Sequence, residues 1–134
     1  MRAIRSFVAS LAWMSALARV RAGLVLGLLG LAPLAFLDQR TAAVVAVGFW
    51  SGGVSMFVLH ARFGFTRLLS LAHLCWLPGV VLLTLEAAPV VPEGGYGAWL
   101  QAALVVSVLV LVADVRDVAR WIGGDRAPLV TLPG

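Results

Sequence analysis

The chain has 134 residues, of which 62% are hydrophobic and only 12% charged, at a mean hydropathy of +1.03. That is too little charged surface to solvate a water-soluble domain of this length, and it leaves no room for a soluble catalytic domain beside the apolar runs. The net charge of +4 comes from ten arginines and no lysine; they cluster at the ends of apolar runs, where they suit anionic lipid headgroups and argue against nucleic acid as a partner.

The composition predicts an all-α integral membrane protein: a four-transmembrane-helix bundle with an N-terminal interfacial helix and both termini cytoplasmic. Residues 1–21 admit two readings. Arg2 and Arg5 before the apolar stretch Phe7 to Ala18, ending Ala16-Leu17-Ala18, have the pattern of a signal peptide cleaved after residue 18. Ile4, Phe7, Val8 and Leu11 also share one helical face, as an amphipathic interfacial helix requires. Arg19 and Arg21 favour the retained helix, because cleavage would leave two arginines on the outer side of the next span.

The membrane domain is expected over 22–122. Its first span covers about 22–37, with Gly23 and Gly27 as a small-xxx-small pair suited to close helix packing, either within the chain or against a second copy. Pro33 bends its exit. Asp38-Gln39-Arg40 is a turn so short that spans one and two form an antiparallel hairpin, with Thr41 as a cap. The second span, about 41–59, carries Gly48, Ser51, Gly52 and Ser55 on one stripe, which marks a helix–helix contact. The connection HARFGFTR leads into the third span, about 68–85, uncharged and holding His73, Cys75, Trp76 and Pro78. Pro78 removes a donor to the carbonyl of Leu74 and is expected to kink the helix. Pro89, Pro92, Gly94 and Gly95 mark the third connection. Tyr96 and Trp99 suit an aromatic belt. The fourth span covers about 98–113, with a helical extension over 114–122 ended by Gly123-Gly124, and 123–134 is expected as a flexible tail.

The arginines also set an orientation. Arg2, Arg5, Arg19 and Arg21 precede span one, Arg62 and Arg67 join spans two and three, and Arg116, Arg120 and Arg126 follow span four, leaving only Arg40 on the opposite side. The positive-inside rule then places both termini inside, in what is expected to be a cell's inner membrane.

Length and helix number resemble the small multidrug transporters, which couple proton exchange to an embedded glutamate in the first span. No acidic residue lies within the four apolar runs here: Asp38, Glu86 and Glu93 fall at their outer ends, Asp114 at the inner end, and Asp117 and Asp125 beyond it. The resemblance stops at size and helix count.

His73 is the clearest intramembrane ionisable group, and such residues are functional candidates because burying them is costly. On a 3.6-residue repeat, Ser70, His73 and Thr84 lie along one stripe, which with Ser51 and Ser55 of span two would form a polar crevice. In the plainest reading His73 is neutral and bonded to Ser51 or Ser55. Others make it a proton relay or a haem or metal ligand with His60, the only other histidine. Cys75 in apolar surroundings is expected to be inert packing. No paired-carboxylate, phosphate-loop, G-x-S-x-G or H-E-x-x-H pattern occurs, so neither enzyme activity nor a bound cofactor is expected. Two function classes remain. One is a non-enzymatic accessory or scaffold subunit docking on other membrane helices or on its own copies, favoured by the small-residue stripes and the lack of embedded acids. The other is a small-solute or proton-linked transporter or channel, or a haem- or quinone-associated subunit, using the crevice around His73.

Overall fold

The computed structural model describes residues 15–63, 67–87 and 93–125. Most of the segment 1–21 expected to be interfacial or cleaved, and the expected tail beyond residue 125, lie outside them. Every element among the described residues is helical. Four stretches are long and apolar enough to cross a membrane: Ala16–Phe36, Arg40–Phe63, Leu69–Ala87 and Gly94–Ile122.

The first stretch starts earlier than its sequence suggests. Helix α1 (Ala16–Val25) is capped by Ser15, whose hydroxyl accepts from the Ala18 N–H at 3.3 Å, so Arg19 and Arg21 lie within the helix. The winding then loosens to a π-helix over Leu26–Leu31 and tightens to a 3-10 helix over Ala32–Phe36. Pro33 gives this a local cause. The Ala32 N–H reaches back five residues to the Gly27 carbonyl. The next bond in that register, from residue 33 to Leu28, cannot form because proline has no N–H. The indole N–H of Trp99 fills the gap, donating to the Leu28 carbonyl at 2.8 Å.

The Gln39 N–H donates to the Phe36 carbonyl at 2.9 Å and closes the short turn. Helix α2 (Arg40–Phe63) follows. It begins one residue before Thr41, and the Gln39 carbonyl accepts the first helical bond, from Ala43.

The third stretch is wound in two ways. Arg67–Trp76 is a 3-10 helix and α3 (Leu77–Ala87) is a regular α-helix. Pro78 sits in the first turn of α3, where a missing N–H costs least. The expected proline kink is thus a change of winding at the proline. Its packing on α2 leaves no room for side chains at the crossing points. A Cβ on Gly48 would lie 2.9 Å from Trp76 Cα, one on Gly52 3.0 Å from the Ala72 carbonyl oxygen, and one on Gly79 3.2 Å from Val45 Cα.

Helix α4 (Gly94–Ile122) is one continuous helix over the residues of the expected fourth span and its helical extension. At ~1.5 Å per residue it is about 44 Å long, more than a hydrocarbon core of about 30 Å requires. Gly124, at φ 101°, ends it with its N–H on the Trp121 carbonyl.

Neighbouring stretches in the chain are neighbours in the bundle, and α4 closes the ring against the first stretch. The core is built from Leu29, Trp76, Leu83, Trp99 and Leu100 among others. The outside carries exposed Val47, Val54, Leu109, Val112 and Val115. An apolar exterior of this kind suits lipid and would be a liability in water. The described ion pairs that link different stretches lie at the end where residues 15 and 125 sit.

Candidate functional site

Residues 67–76 are wound at 3.0 residues per turn, so side chains three apart stack in a column. Arg67, Ser70, His73 and Trp76 form that column. The His73 and Trp76 rings stack with centroids 4.6 Å apart and planes at 19°. Leu69 and Ala72, offset from the column, are buried, and Ala72 meets α2 at Gly52.

The column faces α4, which answers it with acids one turn apart. Arg67 pairs with Asp117 at 3.5 Å and with Asp125 at 3.0 Å. His73 Nδ1 lies 2.5 Å from Asp114 Oδ2. The second oxygen of Asp114 accepts from the Arg21 guanidinium at 3.3 Å. One carboxylate thus joins the first, third and fourth stretches.

The winding and these contacts depend on each other. A 3-10 helix turns about 20° more per residue than an α-helix. Over the six steps from Arg67 to His73, an α-helix would rotate the two side chains apart by about 120°. Both reach acids on α4 because the segment is 3-10.

Asp114 is only 4% exposed, while the Arg21 side chain is 44% exposed. A carboxylate this deep in an apolar bundle needs partners for its oxygens, and both have one. The Arg21 guanidinium donates to one oxygen of the Asp114 carboxyl group. Against an ionised Asp114 carboxylate, which can only accept, His73 Nδ1 carries the hydrogen and donates it. In the neutral ring this leaves Nε2 as the lone-pair nitrogen. Nε2 makes no hydrogen bond among the described residues.

Beside the pair lies a groove of about 310 Å³ between the 3-10 segment and α4. Its walls are apolar, from Leu71 and Leu74 on one side and Leu111, Val115, Val118 and Ile122 on the other. Ser70, His73 and Asp114 also border it, but almost none of the surface open to the groove is polar.

The crevice expected between spans two and three does not assemble. Ser51 is exposed, and the Ser55 hydroxyl meets the Cys75 thiol at 3.5 Å. Thr84 donates to the Val80 carbonyl of its own helix at 2.9 Å. Only Ser70 and His73 of that set come together, and they face α4 instead of α2. The expected serine partner of His73 is therefore corrected to Asp114. Cys75, expected as packing, is exposed. Gly48 and Gly52 lie at the contact with the 3-10 segment, whereas Gly23 and Gly27 have nothing of this chain within 4 Å of a built Cβ. In the first stretch it is Gly30 that admits a neighbour, with the Phe49 ring 2.5 Å from such a Cβ. His60 is buried in the last turn of α2. The described residues contain no group of three or more His, Cys, Asp or Glu side chains placed to hold a metal.

Asp114, Arg21, Arg67 and Asp117 were not among the expected site residues. The sequence does carry a signal for them: Arg67, Ser70, His73 and Trp76 recur at a strict spacing of three, and Asp114 and Asp117 are one turn apart on a helix.

The chain matches no protein-family model, no curated protein and no solved structure. Function must be argued from the site itself.

Proposed function

We propose that this chain is a small multi-pass protein of a cell's inner membrane, with both termini in the cytoplasm, that binds and releases protons at the Arg21–Asp114–His73 cluster in step with a small solute. The observation that carries the reading is the 2.5 Å contact between His73 and Asp114, beside an open groove inside an apolar bundle. Ionisable groups placed at such depth mark proton or substrate sites by default. Histidine is the side chain that changes charge near neutral pH.

The roles divide by chemistry. Nε2 of His73 takes the proton. Asp114 holds the resulting imidazolium through Nδ1, and Arg21 keeps the carboxylate paired when the ring is neutral. The arginine bias supports the orientation and puts the site toward the cytoplasmic leaflet. The groove lies on the flank of the bundle, so a route to the far side is completed by a second copy or by another membrane protein. The reading is non-enzymatic and needs no resident cofactor.

The accessory-subunit reading drew support from the absence of embedded acids, and Asp114, outside the apolar run yet buried, weakens that premise. One observation still favours it: Gly23 and Gly27 lie open on the first stretch, where a partner helix could approach closely.

Purified protein in liposomes tests the proposal. An imposed pH gradient should drive proton flux that His73→Phe and Asp114→Asn both abolish. Flux unchanged in both variants, with another membrane protein co-purifying in fixed ratio, would support the accessory reading instead.

A further inference from the structure

Asp114 meets the edge of the His73 ring; a second contact, on the ring's face, extends the proton-site reading above and rests on it. In a 3-10 helix side chains three apart are eclipsed at a rise of about 6 Å, so Trp76 lies over His73. The two rings close to 4.6 Å between centroids, with planes at 19°. The indole packs in turn against Phe49 of α2, with centroids 6.2 Å apart, and Trp76 is buried. The imidazole thus has a carboxylate at its edge and a buried π-system on one face.

The indole carries a penalty that directs attention to its ring instead of its nitrogen. Its N–H is buried with no hydrogen-bond partner among the described residues, whereas the Trp99 N–H donates to the Leu28 carbonyl. A buried donor without an acceptor is destabilising, and phenylalanine at 76 would fill much of the same space without that penalty. What tryptophan offers over phenylalanine is the ring face that attracts a cation most strongly, and the attraction grows as the cation leaves water. The His73 side chain is only 18% exposed.

The charges around the ring oppose one another. Asp114 of α4 favours the imidazolium, and Arg21 of the first stretch, on the other Asp114 oxygen, disfavours it. Arg67, two turns along the same column, is bound to Asp117 and Asp125. Helix α2 brings His60 and Arg62 to this end of the bundle and sets uncharged Phe49 behind the indole. We infer that Trp76 is a positioning residue of the proton site, its ring face holding the imidazolium of His73 while Asp114 holds the edge.

The chain contains two histidines and five tryptophans. Protein labelled with ¹⁵N at histidine, in nanodiscs, is titrated over roughly pH 5 to 8, where histidine changes charge. The ¹⁵N shifts read the ratio of charged to neutral His73 ring, and His73→Gln assigns the resonances. The same chain is then produced with 5,7-difluorotryptophan, which keeps the indole shape and makes its face less negative. At a fixed pH, fluorination should lower the ratio by about threefold, and Trp76→Phe should lower it as well. Fluorinating the Trp76→Phe chain should change nothing further, which places the effect at residue 76. An unchanged ratio in the fluorinated native chain overturns the inference, as does an equal drop when Trp76→Phe is fluorinated. If Trp76→Phe does not fold, the fluorinated native chain, whose packing is unaltered, still decides. Proton flux in liposomes separates this inference from the reading beneath it. Flux with an unchanged ratio removes Trp76 from the site and leaves the proton site standing. A lowered ratio without flux leaves the Trp76–His73 contact as assigned and removes the transport reading. A His73 ring that never changes charge over the range overturns both.

Discussion

The indole nitrogen of Trp99 lies 2.8 Å from the carbonyl oxygen of Leu28, the acceptor that the π register leaves without a donor at Pro33. The contact ties α4 to the first stretch at the point where that stretch changes winding. Trp99 also packs on Phe36 and Tyr96, with ring centroids 5.8 and 5.6 Å away. Trp99→Phe keeps much of the ring packing but leaves the carbonyl unpaired, at an expected cost of about 1–3 kcal/mol. Pro33→Ala restores a local donor. In reversible unfolding from mixed micelles, the double variant should lose less than the sum of the single losses.

Glycines of similar appearance in the sequence should respond differently to alanine. Gly48→Ala places a methyl 2.9 Å from the backbone of Trp76, and overpacking against backbone costs about 1–3 kcal/mol. Gly23→Ala meets nothing within 4 Å and should leave the stability of the single chain unchanged or raise it by up to about 1 kcal/mol. Thermal unfolding of both variants in one detergent checks the contrast. If Gly23→Ala also reduces the mass of the extracted assembly, that face is a contact between chains.

Asp114 should tolerate loss of charge better than loss of its acceptor. Asp114→Asn retains an oxygen for the His73 N–H. Asp114→Leu leaves Nδ1 with no partner, and an unsatisfied buried donor costs about 1–3 kcal/mol. Leucine should therefore destabilise more than asparagine, while both remove proton flux. Equal unfolding midpoints for the two would mean that the His73–Asp114 bond does not hold the native bundle together.

Arg67 is a different case, because its partners are partly solvated: the Asp117 and Asp125 side chains are 26% and 43% exposed. Arg67→Gln should cost no more than about 1 kcal/mol, and raised salt should shrink the difference from the native chain. Its larger effect should be local. Hydrogen exchange over residues 67–76 is expected to quicken, since one of the two contacts that favour 3-10 winding is gone.

The four-helix count was legible because long uncharged runs separated by short polar turns have few other folds available. The contact of Gly48 and Gly52 with the third stretch was legible in kind, as a small-residue stripe. The site was not, for two physical reasons. The 3.6-residue repeat is the natural assumption for a span, and on it Ser70 and His73 align with Thr84. On the three-residue repeat that residues 67–76 adopt, they align with Arg67 and Trp76 and turn toward α4. Asp114 was also misplaced: an acid just past an apolar run reads as solvated, yet continuous helix carries it into the bundle between His73 and Arg21. Neither Arg21 nor Asp114 has a local sequence feature announcing the other across 93 residues.

The winding of the third stretch also settles how far it reaches. At about 2.0 Å per residue, the ten residues of the 3-10 segment extend about 20 Å, where an α-helix would give about 15 Å. Together with α3 the stretch measures about 36 Å, close to the span of the 24-residue α2 beside it. Wound entirely as α-helix it would fall about 5 Å short of α2. Overwinding thus lets a shorter run of sequence match its neighbour's length. A return to α-winding would draw one end of the stretch inward and place its thickness out of step with the bilayer, at a cost of fractions of a kcal/mol per Å. In a bilayer, a change in thickness would thereby act on the segment that holds His73 against Asp114.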